Sequence, residues 1–167
     1  MERDYDRFTV FDLETTGFGK SAGITEIGAV KVEHGEFIDV FSTLVNPLRP
    51  IPRQIQLLNG ITEEAVAKAP PIAQVLPAFL DFIGDDPLIA HNAAFDCAFL
   101  YREAGYLGRS VPNPEVDTVR LARKVWPGLP TYKLTHLTDY HGIAQEEAHR
   151  AWCDARATAK LYLMMHS

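Results

Sequence analysis

Two carboxylates, Asp12 and Glu14, stand two residues apart within the apolar segment 7–14. This segment is typical of a β-strand, because it is rich in aromatic and β-branched residues and stops at Thr16 and Gly17. Alternate residues of a strand point to the same face and lie about 6–7 Å apart, so both side chains can converge on a pair of divalent cations. The alternative is a solvated acidic edge of the strand, which the apolar flanking residues disfavour.

Two further acids and a histidine occur later in the chain. Asp96 follows a short apolar run and lies about one turn into a predicted helix, where α/β folds present functional groups. An acid placed there only for the helix dipole is the alternative. His149 and Asp154 would be separated by about 140° on one helix, so they would not share a face. We therefore place His149 on the loop before the last helix and Asp154 on its second turn, although His149 alone also fits an ordinary surface histidine.

These residue types together indicate metal-assisted hydrolysis. Carboxylate oxygens are the ligands that hard cations such as Mg²⁺ or Mn²⁺ prefer, and too few histidines and cysteines cluster here for a zinc site. Four acids and a histidine with a pKa near about 6.5 supply what phosphodiester cleavage with two metal ions needs. The predicted metal ligands are Asp12, Glu14, Asp96 and Asp154, and the predicted general base is His149.

The elements that must position these residues alternate along the chain. Segments 24–33 and 36–45 are predicted strands joined by a turn at His34 and Gly35, so three consecutive antiparallel strands are expected. A connecting region follows, and then a short buried strand at 87–90 among helices. One short helix is predicted to begin at Thr62. The other predicted helices cover 71–83 (with a kink or late start at Pro77), 93–104, 117–126, 132–140 and 151–165. The pattern predicts an α/β fold with a mixed sheet, helices on both faces and a single domain over residues 1–167.

Composition narrows the function further. The chain has 167 residues, 47% hydrophobic and 23% charged, and no run of about 20 apolar residues that would span a bilayer. We expect a cytoplasmic protein without a membrane partner. The net charge of −6 argues against a protein that coats duplex DNA, yet it is compatible with a nuclease that recruits cations through clustered acids. Cys97 and Cys153 fit neither a metal site nor a disulfide scaffold and are predicted to be small buried residues.

Three ordered segments resemble the exonuclease motifs of the DEDD superfamily: Phe11-Asp12-Leu13-Glu14-Thr15-Thr16-Gly17, His91-Asn92-Ala93-Ala94-Phe95-Asp96 and His149-Arg150-Ala151-Trp152-Cys153-Asp154-Ala155. The spacing of His149 and Asp154 is similar to that of the DEDDh (DnaQ-like) branch. Residues 55–62 and Asp117-Thr118 also resemble the family, so the likeness covers nearly the whole chain. It implies an RNase H-like fold with a five-stranded sheet, and hydrolysis from the 3′ end that releases nucleoside 5′-monophosphates.

The resemblance also implies the substrate contacts. Leu13, Thr15 and Thr16 would hold the terminal nucleotide, Phe18 would be an apolar wedge between the last bases, and Asn92 and Phe95 would line the same pocket. Core packing is the alternative for both phenylalanines. Within the family the motifs resemble the proofreading exonucleases of bacterial replicative polymerases, as a separate epsilon subunit or as a segment of a PolC-type polymerase. The chain stops soon after the last helix, without the polymerase-binding tail of epsilon, which favours a stand-alone or excised nuclease domain.

The expected function is therefore a metal-dependent 3′→5′ exonuclease that acts on single-stranded or frayed DNA, with a DNA polymerase as candidate partner. RNA or very short oligonucleotides stay open as substrates, since contacts to a 2′-hydroxyl decide and no residue reports them. A catalytically weak module that binds 3′ ends or docks on a polymerase is a third possibility, which the complete set of acids disfavours. The oligomeric state is left open.

Overall fold

The computed structural model describes residues 4–145 and 150–167. The elements within these residues are, in chain order, β1 (Arg7–Thr15), β2 (Ile24–Glu33), β3 (Glu36–Leu44), α1 (Arg53–Asn59), α2 (Glu63–Val66), α3 (Ile72–Ile83), β4 (Leu88–Ala90), α4 (Ala93–Tyr106), β5 (Glu115–Asp117), α5 (Thr118–Val125), α6 (Leu134–Tyr140) and α7 (Ala151–Met165).

The five strands form one mixed sheet in the order β3-β2-β1-β4-β5. Strands β1, β2 and β3 pair antiparallel, whereas β4 pairs parallel to β1 and β5 parallel to β4. His34 and Gly35 join β2 to β3 with φ values of 50° and 80°, the left-handed conformation that a tight hairpin turn requires. The predicted α/β fold, with three antiparallel strands followed by parallel additions, is confirmed.

The structure differs from the predicted elements in several places. Helix α1 occupies a segment that was predicted only as a connection, because prolines just before it suggested that regular structure ends there. Pro52 instead precedes the first helical residue with φ −54°, a value that is compatible with a helix start. Strand β5 was not located, since three residues give no periodic signal. Helix α3 begins at Ile72 and contains Pro77, so the late start was wrong, and α4 continues through Gly105 to Tyr106.

Helices cover both faces of the sheet, and this determines which helix faces the two acids of β1. Phe11 and Leu13 of β1 pack with α3 and α4, whereas Phe8 and Val10 pack with residues of α5 and α7. Asp12 and Glu14 follow Phe8 and Val10 at intervals of two, so they belong to the face that α7 covers. No helix among the described residues is long and apolar enough to cross a membrane.

Helix α7 approaches β2 unusually closely at Gly28. A Cβ atom on this glycine would lie 2.0 Å from the backbone nitrogen of Trp152 and 2.2 Å from the carbonyl carbon of Ala151. Gly28 pairs with Asp12 in the register of β1 and β2. The absence of a side chain at Gly28 therefore lets the first turn of α7 lie next to Asp12.

Polar side chains also connect β1, β2 and the segment before β4. Asp86 is buried and accepts hydrogen bonds from Arg7 Nε at 3.0 Å, Thr9 Oγ1 at 2.8 Å and Lys31 Nζ at 2.7 Å. Lys31 also donates to the carbonyl of Phe82 at 2.6 Å. Burial alone would raise the pKa of Asp86, but these hydrogen bonds outweigh it and the pKa is lowered.

Candidate active site

Three carboxylates converge where β1 meets α7. Asp12 and Glu14 of β1 and Asp154 of α7 each offer an oxygen, and these atoms all lie within 4.8 Å of one another. The strand period places Asp12 and Glu14 on one face of the sheet. The close packing of α7 against Gly28 brings Asp154 next to them. Asp154 lies in the first turn of α7 rather than in the second as predicted, because it is only the fourth residue of the helix.

Asp96 reaches the same region from α4. It lies in the first turn of that helix, as predicted, with 4% of its surface exposed. Pairing between β1 and β4 is limited to Thr9 and Val10. Burial and the charge of Glu14 raise the pKa of Asp96, and the Leu13 backbone opposes this rise. The charge of Asp96 raises the pKa of Asp12, so the fourth acid lies close to the cluster of three.

The cluster is electrostatically unfavourable without cations. Burial, followed by repulsion from the neighbouring acids, raises the pKa of Asp12 well above its usual range. Burial and the charge of Asp154 raise the pKa of Glu14 to about 7. Among the described residues, Asp12 Oδ2 and Asp96 Oδ2 are buried oxygen atoms without a hydrogen-bond partner. Unpaired carboxylate oxygens at this density fit hard divalent cations such as Mg²⁺ or Mn²⁺.

Glu26 of β2 is a further acid near the cluster, it is buried, and its carboxylate holds the start of α7. Its Oε1 accepts a hydrogen bond of 2.8 Å from the amide of Ala151, and its Oε2 accepts one of 3.1 Å from Arg150 Nε. The side chain is 1% exposed, and its role was not predicted from the sequence. The available signal was a single charged residue in the first half of β2, two residues before Gly28.

Two amide side chains orient the clustered carboxylates. Asn59, the last residue of α1, donates from Nδ2 to Glu14 Oε2 at 3.4 Å. Gln145 donates from Nε2 to Asp154 Oδ1 at 2.9 Å. Hydrogen bonds of this kind fix the direction of ligand oxygens in metal sites. Neither residue was predicted, although Asn59 lies in the segment 55–62 that resembles the family.

His149, the predicted general base, lies outside the described residues, and its role stays a prediction. The preceding described residue is Gln145 and the following one is Arg150. These are the residues that bind Asp154 and Glu26, respectively.

An apolar cleft of 140 Å³ opens beside Glu14. Four of the predicted substrate residues line it, namely Leu13, Thr15, Phe18 and Phe95, together with Ile55, Leu58 and Asn59, which were not predicted. Phe18 is 80% exposed, and its ring contacts the ring of Phe95 edge to face with centroids 5.5 Å apart. Core packing therefore does not account for Phe18, whereas Phe95 is half-buried and also packs against Phe99.

Two predicted substrate residues do not line this cleft. Thr16 is buried, and its Oγ1 accepts a hydrogen bond of 3.0 Å from the amide of Gly23. Thr16 lines a neighbouring cleft of 380 Å³, together with Phe18 and Arg49. Asn92 lines a separate cleft of 510 Å³ near Lys133. Asn92 precedes α4, and its backbone amide donates to Asp117 at the end of β5. That Asn92 and Phe95 line one substrate pocket stays a prediction.

Known exonucleases and polymerase proteins resemble this chain over most of its length. The family model described as exonuclease matches residues 9–162. The chain is 46% identical over 157 residues to a PolC-type DNA polymerase III from Clostridium perfringens, covering 93% of this chain and 11% of that protein. It is 39% identical to the epsilon subunit of DNA polymerase III from Aquifex aeolicus, covering 93% of this chain and 78% of that subunit. The structure of exonuclease X in complex with 5′ overhanging duplex DNA superimposes with a TM-score of 0.80 and 32% identity, covering 95% of this chain and 90% of that one.

The fold and the site define an exonuclease domain with a carboxylate cluster. The chain belongs to the exonuclease family, and its predicted resemblance to the PolC-type and epsilon proteins of DNA polymerase III is confirmed. It shares its α/β fold with a nuclease domain described as a DEDDh family member, with a TM-score of 0.82 and 20% identity. The chain spans 11% of the length of the PolC-type polymerase that it matches.

Proposed function

We propose that this chain is a metal-dependent 3′→5′ exonuclease that hydrolyses the terminal phosphodiester bond of single-stranded or frayed DNA and releases a nucleoside 5′-monophosphate. The observation that carries the proposal is the convergence of Asp12, Glu14 and Asp154 within 4.8 Å, with Glu14 also lining the apolar cleft. Membership of the exonuclease family supports the reaction, and the motif spacing supports the 3′→5′ direction.

The acids fit two divalent cations, Mg²⁺ or Mn²⁺. Asp12, Glu14, Asp96 and Asp154 would hold them, because oxygens of the first two and of Asp154 are clustered. Asp96 lies close enough for its charge to raise the pKa of Asp12, and Asp12 Oδ2 and Asp96 Oδ2 are buried without a hydrogen-bond partner in the described part of the chain. Bound ions of this kind activate a water molecule and stabilise the leaving oxygen of a phosphodiester.

The surrounding residues would position the substrate and move the proton. Leu13, Phe18 and Leu58 present apolar surface to the terminal nucleoside in the cleft beside Glu14. His149 is proposed to take the proton from the attacking water, since an imidazole with a pKa near about 6.5 is a suitable base at neutral pH. Asn59 and Gln145 hold Glu14 and Asp154 in the directions described above.

The test is digestion of 5′-labelled oligonucleotides with Mg²⁺, Mn²⁺ or EDTA. We expect a ladder that shortens from the 3′ end on single-stranded DNA and on a mismatched duplex, a slower reaction on a matched duplex, and mononucleotides with a 5′-phosphate as products. The variant Asp12→Ala, made in the same way, is the control for a contaminating nuclease. Activity that persists in EDTA would contradict the metal-dependent mechanism, and faster digestion of RNA would change the substrate class.

A replicative DNA polymerase is the proposed partner, and the chain is proposed to act as a single exonuclease domain. The support is that relatives are named as a PolC-type polymerase and as an epsilon subunit of DNA polymerase III. Addition of the polymerase catalytic subunit to the digestion of a mismatched primer end checks this. An increased rate is expected, and an unchanged rate across the concentrations at which the polymerase extends DNA would favour a nuclease that acts alone.

A further inference from the structure

The cleft that contains Asn92 has a different character from the apolar cleft beside Glu14. It has a volume of 510 Å³, and two exposed cationic side chains, Arg123 and Lys133, line it. His91, Asn92 and Asp117 lie at the carboxyl ends of the neighbouring parallel strands β4 and β5. Because β1 is parallel to β4 and carries Glu14 near its own carboxyl end, this cationic cleft opens at the same edge of the sheet as the acids.

The wall of the cationic cleft is held in place by partly buried hydrogen bonds. The His91 Nε2 donates to the carbonyl of Tyr132 at 2.6 Å, and its Nδ1 lies 2.8 Å from Thr118 Oγ1, from which it accepts in this tautomer. Burial lowers the pKa of His91, so the ring is neutral at physiological pH. The carbonyl that it holds belongs to the residue immediately before Lys133, and the backbone there is therefore fixed.

Tyr132 also connects the two cations. Its hydroxyl donates to the carbonyl of Trp126 at 2.8 Å, at the end of α5. The Arg123 guanidinium lies over the Tyr132 ring, 5.5 Å from its centroid. One side of the cleft thus presents an arginine stacked on a fixed ring, and the adjacent residue presents a lysine. Stacking restricts the guanidinium and reduces the entropy that it loses on binding an anion.

Asp117 is the one acid among the residues that line the cleft, and its carboxylate accepts hydrogen bonds from the backbone. Asp117 Oδ1 accepts hydrogen bonds from the amides of Asn92 and Val119, each at 3.0 Å. Its charge therefore stabilises the starts of α4 and α5. The chain has a net charge of −6 and would repel a polyanion over most of its surface. Two cations line this one cleft, so a polyanion would be attracted there.

We infer that the cationic cleft, through Arg123, Lys133 and the exposed amide side chain of Asn92, binds backbone phosphate of the strand being cut, upstream of its 3′-terminal nucleotide. Asn92 immediately precedes α4 and lies four residues before Asp96, about 6 Å at the rise of a helix, so the cleft is within reach of a strand whose 3′ end is held at the acids. This inference rests on the proposed function and adds to it a separate contact that depends on the length of the substrate.

The experiment compares Arg123→Gln and Lys133→Gln with Arg120→Gln. Arg120 is exposed on the same helix α5 but does not line the cleft, so it is a matched control for loss of one charge. Steady-state kinetics are measured with single-stranded oligonucleotides of increasing length at several salt concentrations. A second substrate is the p-nitrophenyl ester of thymidine 5′-monophosphate, which has one phosphodiester and no upstream phosphate.

For the two cleft variants we expect a raised KM on longer oligonucleotides, an unchanged kcat, and unchanged hydrolysis of the ester. Each lost phosphate contact reduces the salt slope by about 0.7 for a single strand, so the wild-type advantage in kcat/KM falls by about 2.6-fold from 50 to 200 mM salt. The variants Arg123→Lys and Lys133→Arg should restore most of the affinity. Behaviour identical to that of Arg120→Gln on every length would overturn the inference, while an inactive wild type on ester and DNA alike would instead contradict the proposed exonuclease.

Discussion

Glu26 and Ala151 are 125 residues apart in the chain, and their hydrogen bond of 2.8 Å joins strand β2 to the first residue of the helix that carries Asp154. The same carboxylate binds Arg150, so one side chain of β2 holds both residues at the start of α7. Because Asp154 is three residues further along a rigid helix, the position of this metal-ligand candidate depends on Glu26.

Replacement of Glu26 should therefore reduce both stability and activity. In Glu26→Ala the Ala151 amide loses a charged acceptor, which costs about 1–3 kcal/mol of the free energy of unfolding. We also expect a lower kcat and weaker Mn²⁺ binding by the protein, because Asp154 moves away from Asp12. Urea denaturation and Mn²⁺ titration measure the two effects. Glu36→Ala, an exposed acid at the start of β3, is the control, and equal behaviour of the two variants would refute the role of Glu26.

Gly28→Ala should displace α7. The new Cβ would lie 2.0 Å from the backbone nitrogen of Trp152, which cannot move without the helix, so we expect a loss of about 3 kcal/mol in stability and most of the activity. Gly105→Ala is the matched control, since no atom lies within 4 Å of its added Cβ and alanine stabilises a helix by about 0.5–1 kcal/mol. Thermal unfolding measures the change in stability, and DNA digestion measures the change in activity. A fully active Gly28→Ala would show that the site tolerates a larger distance between α7 and β2.

Asp12→Asn should separate stability from catalysis. Burial and the charges of neighbouring acids raise the pKa of Asp12, so neutralising this acid removes both a desolvation cost and repulsion. The metal-free variant at pH 8 should therefore unfold about 2–4 °C higher than the wild type, the shift that roughly 1 kcal/mol produces in a domain of this size. Activity should be lost. Added Mg²⁺ or Mn²⁺ should raise the Tm of the wild type but barely that of the variant, because ligand binding to the native state stabilises it. A lower Tm for the metal-free variant would argue against strain in the cluster.

Phe18→Ala should affect the substrate and leave the fold intact. The ring is 80% exposed, so the free energy of unfolding should change by less than about 0.5 kcal/mol. Stacking of a base on an aromatic ring contributes about 1–3 kcal/mol, so we expect KM for single-stranded DNA to rise about tenfold. Tyr106→Ala, with a 76% exposed ring away from the clefts beside Glu14 and Asn92, controls for loss of an exposed aromatic residue. Unchanged kinetics would exclude Phe18 from the substrate site.

The network around Asp86 predicts a dependence of stability on pH. The pKa of this carboxylate is lowered in the folded protein, so its ionised form stabilises the fold above the unfolded pKa of about 3.9 and this contribution is lost as the pH falls through the folded pKa. Asp86→Asn should therefore cost about 2 kcal/mol at pH 7, where Lys31 and Arg7 lose a charged acceptor, and much less near pH 2. Urea unfolding at both pH values tests this. The exposed neighbour Asp85→Asn should show no such difference, and a constant effect of Asp86→Asn at all pH values would contradict the assignment.

The sequence predicted the parts of the site that depend on local geometry. Asp12 and Glu14 could be placed on one face because the period of a strand is a property of its backbone. The position of Asp154 depends on how α7 packs against Gly28 and Glu26 of β2. These contacts join residues that lie more than 100 positions apart in the chain, so local patterns do not reveal them. Asn59 and Leu58 were not assigned because α1 has only seven residues, too few to show a helical period, and prolines precede it. The cleft that Asn92 lines lies at the carboxyl end of the strand β5, which was too short to detect.

The packing of α7 against β2 also affects the order in which the site forms during folding. The candidate ligands extend from residue 12 to residue 154, and β2 can fix the last of them only after the polypeptide between has been synthesised and compacted. Contacts between such distant residues close slowly, because the loop entropy is lost before the contact is gained. A nascent or partly folded chain therefore has no assembled cleavage centre, and nuclease activity is a direct report of complete folding.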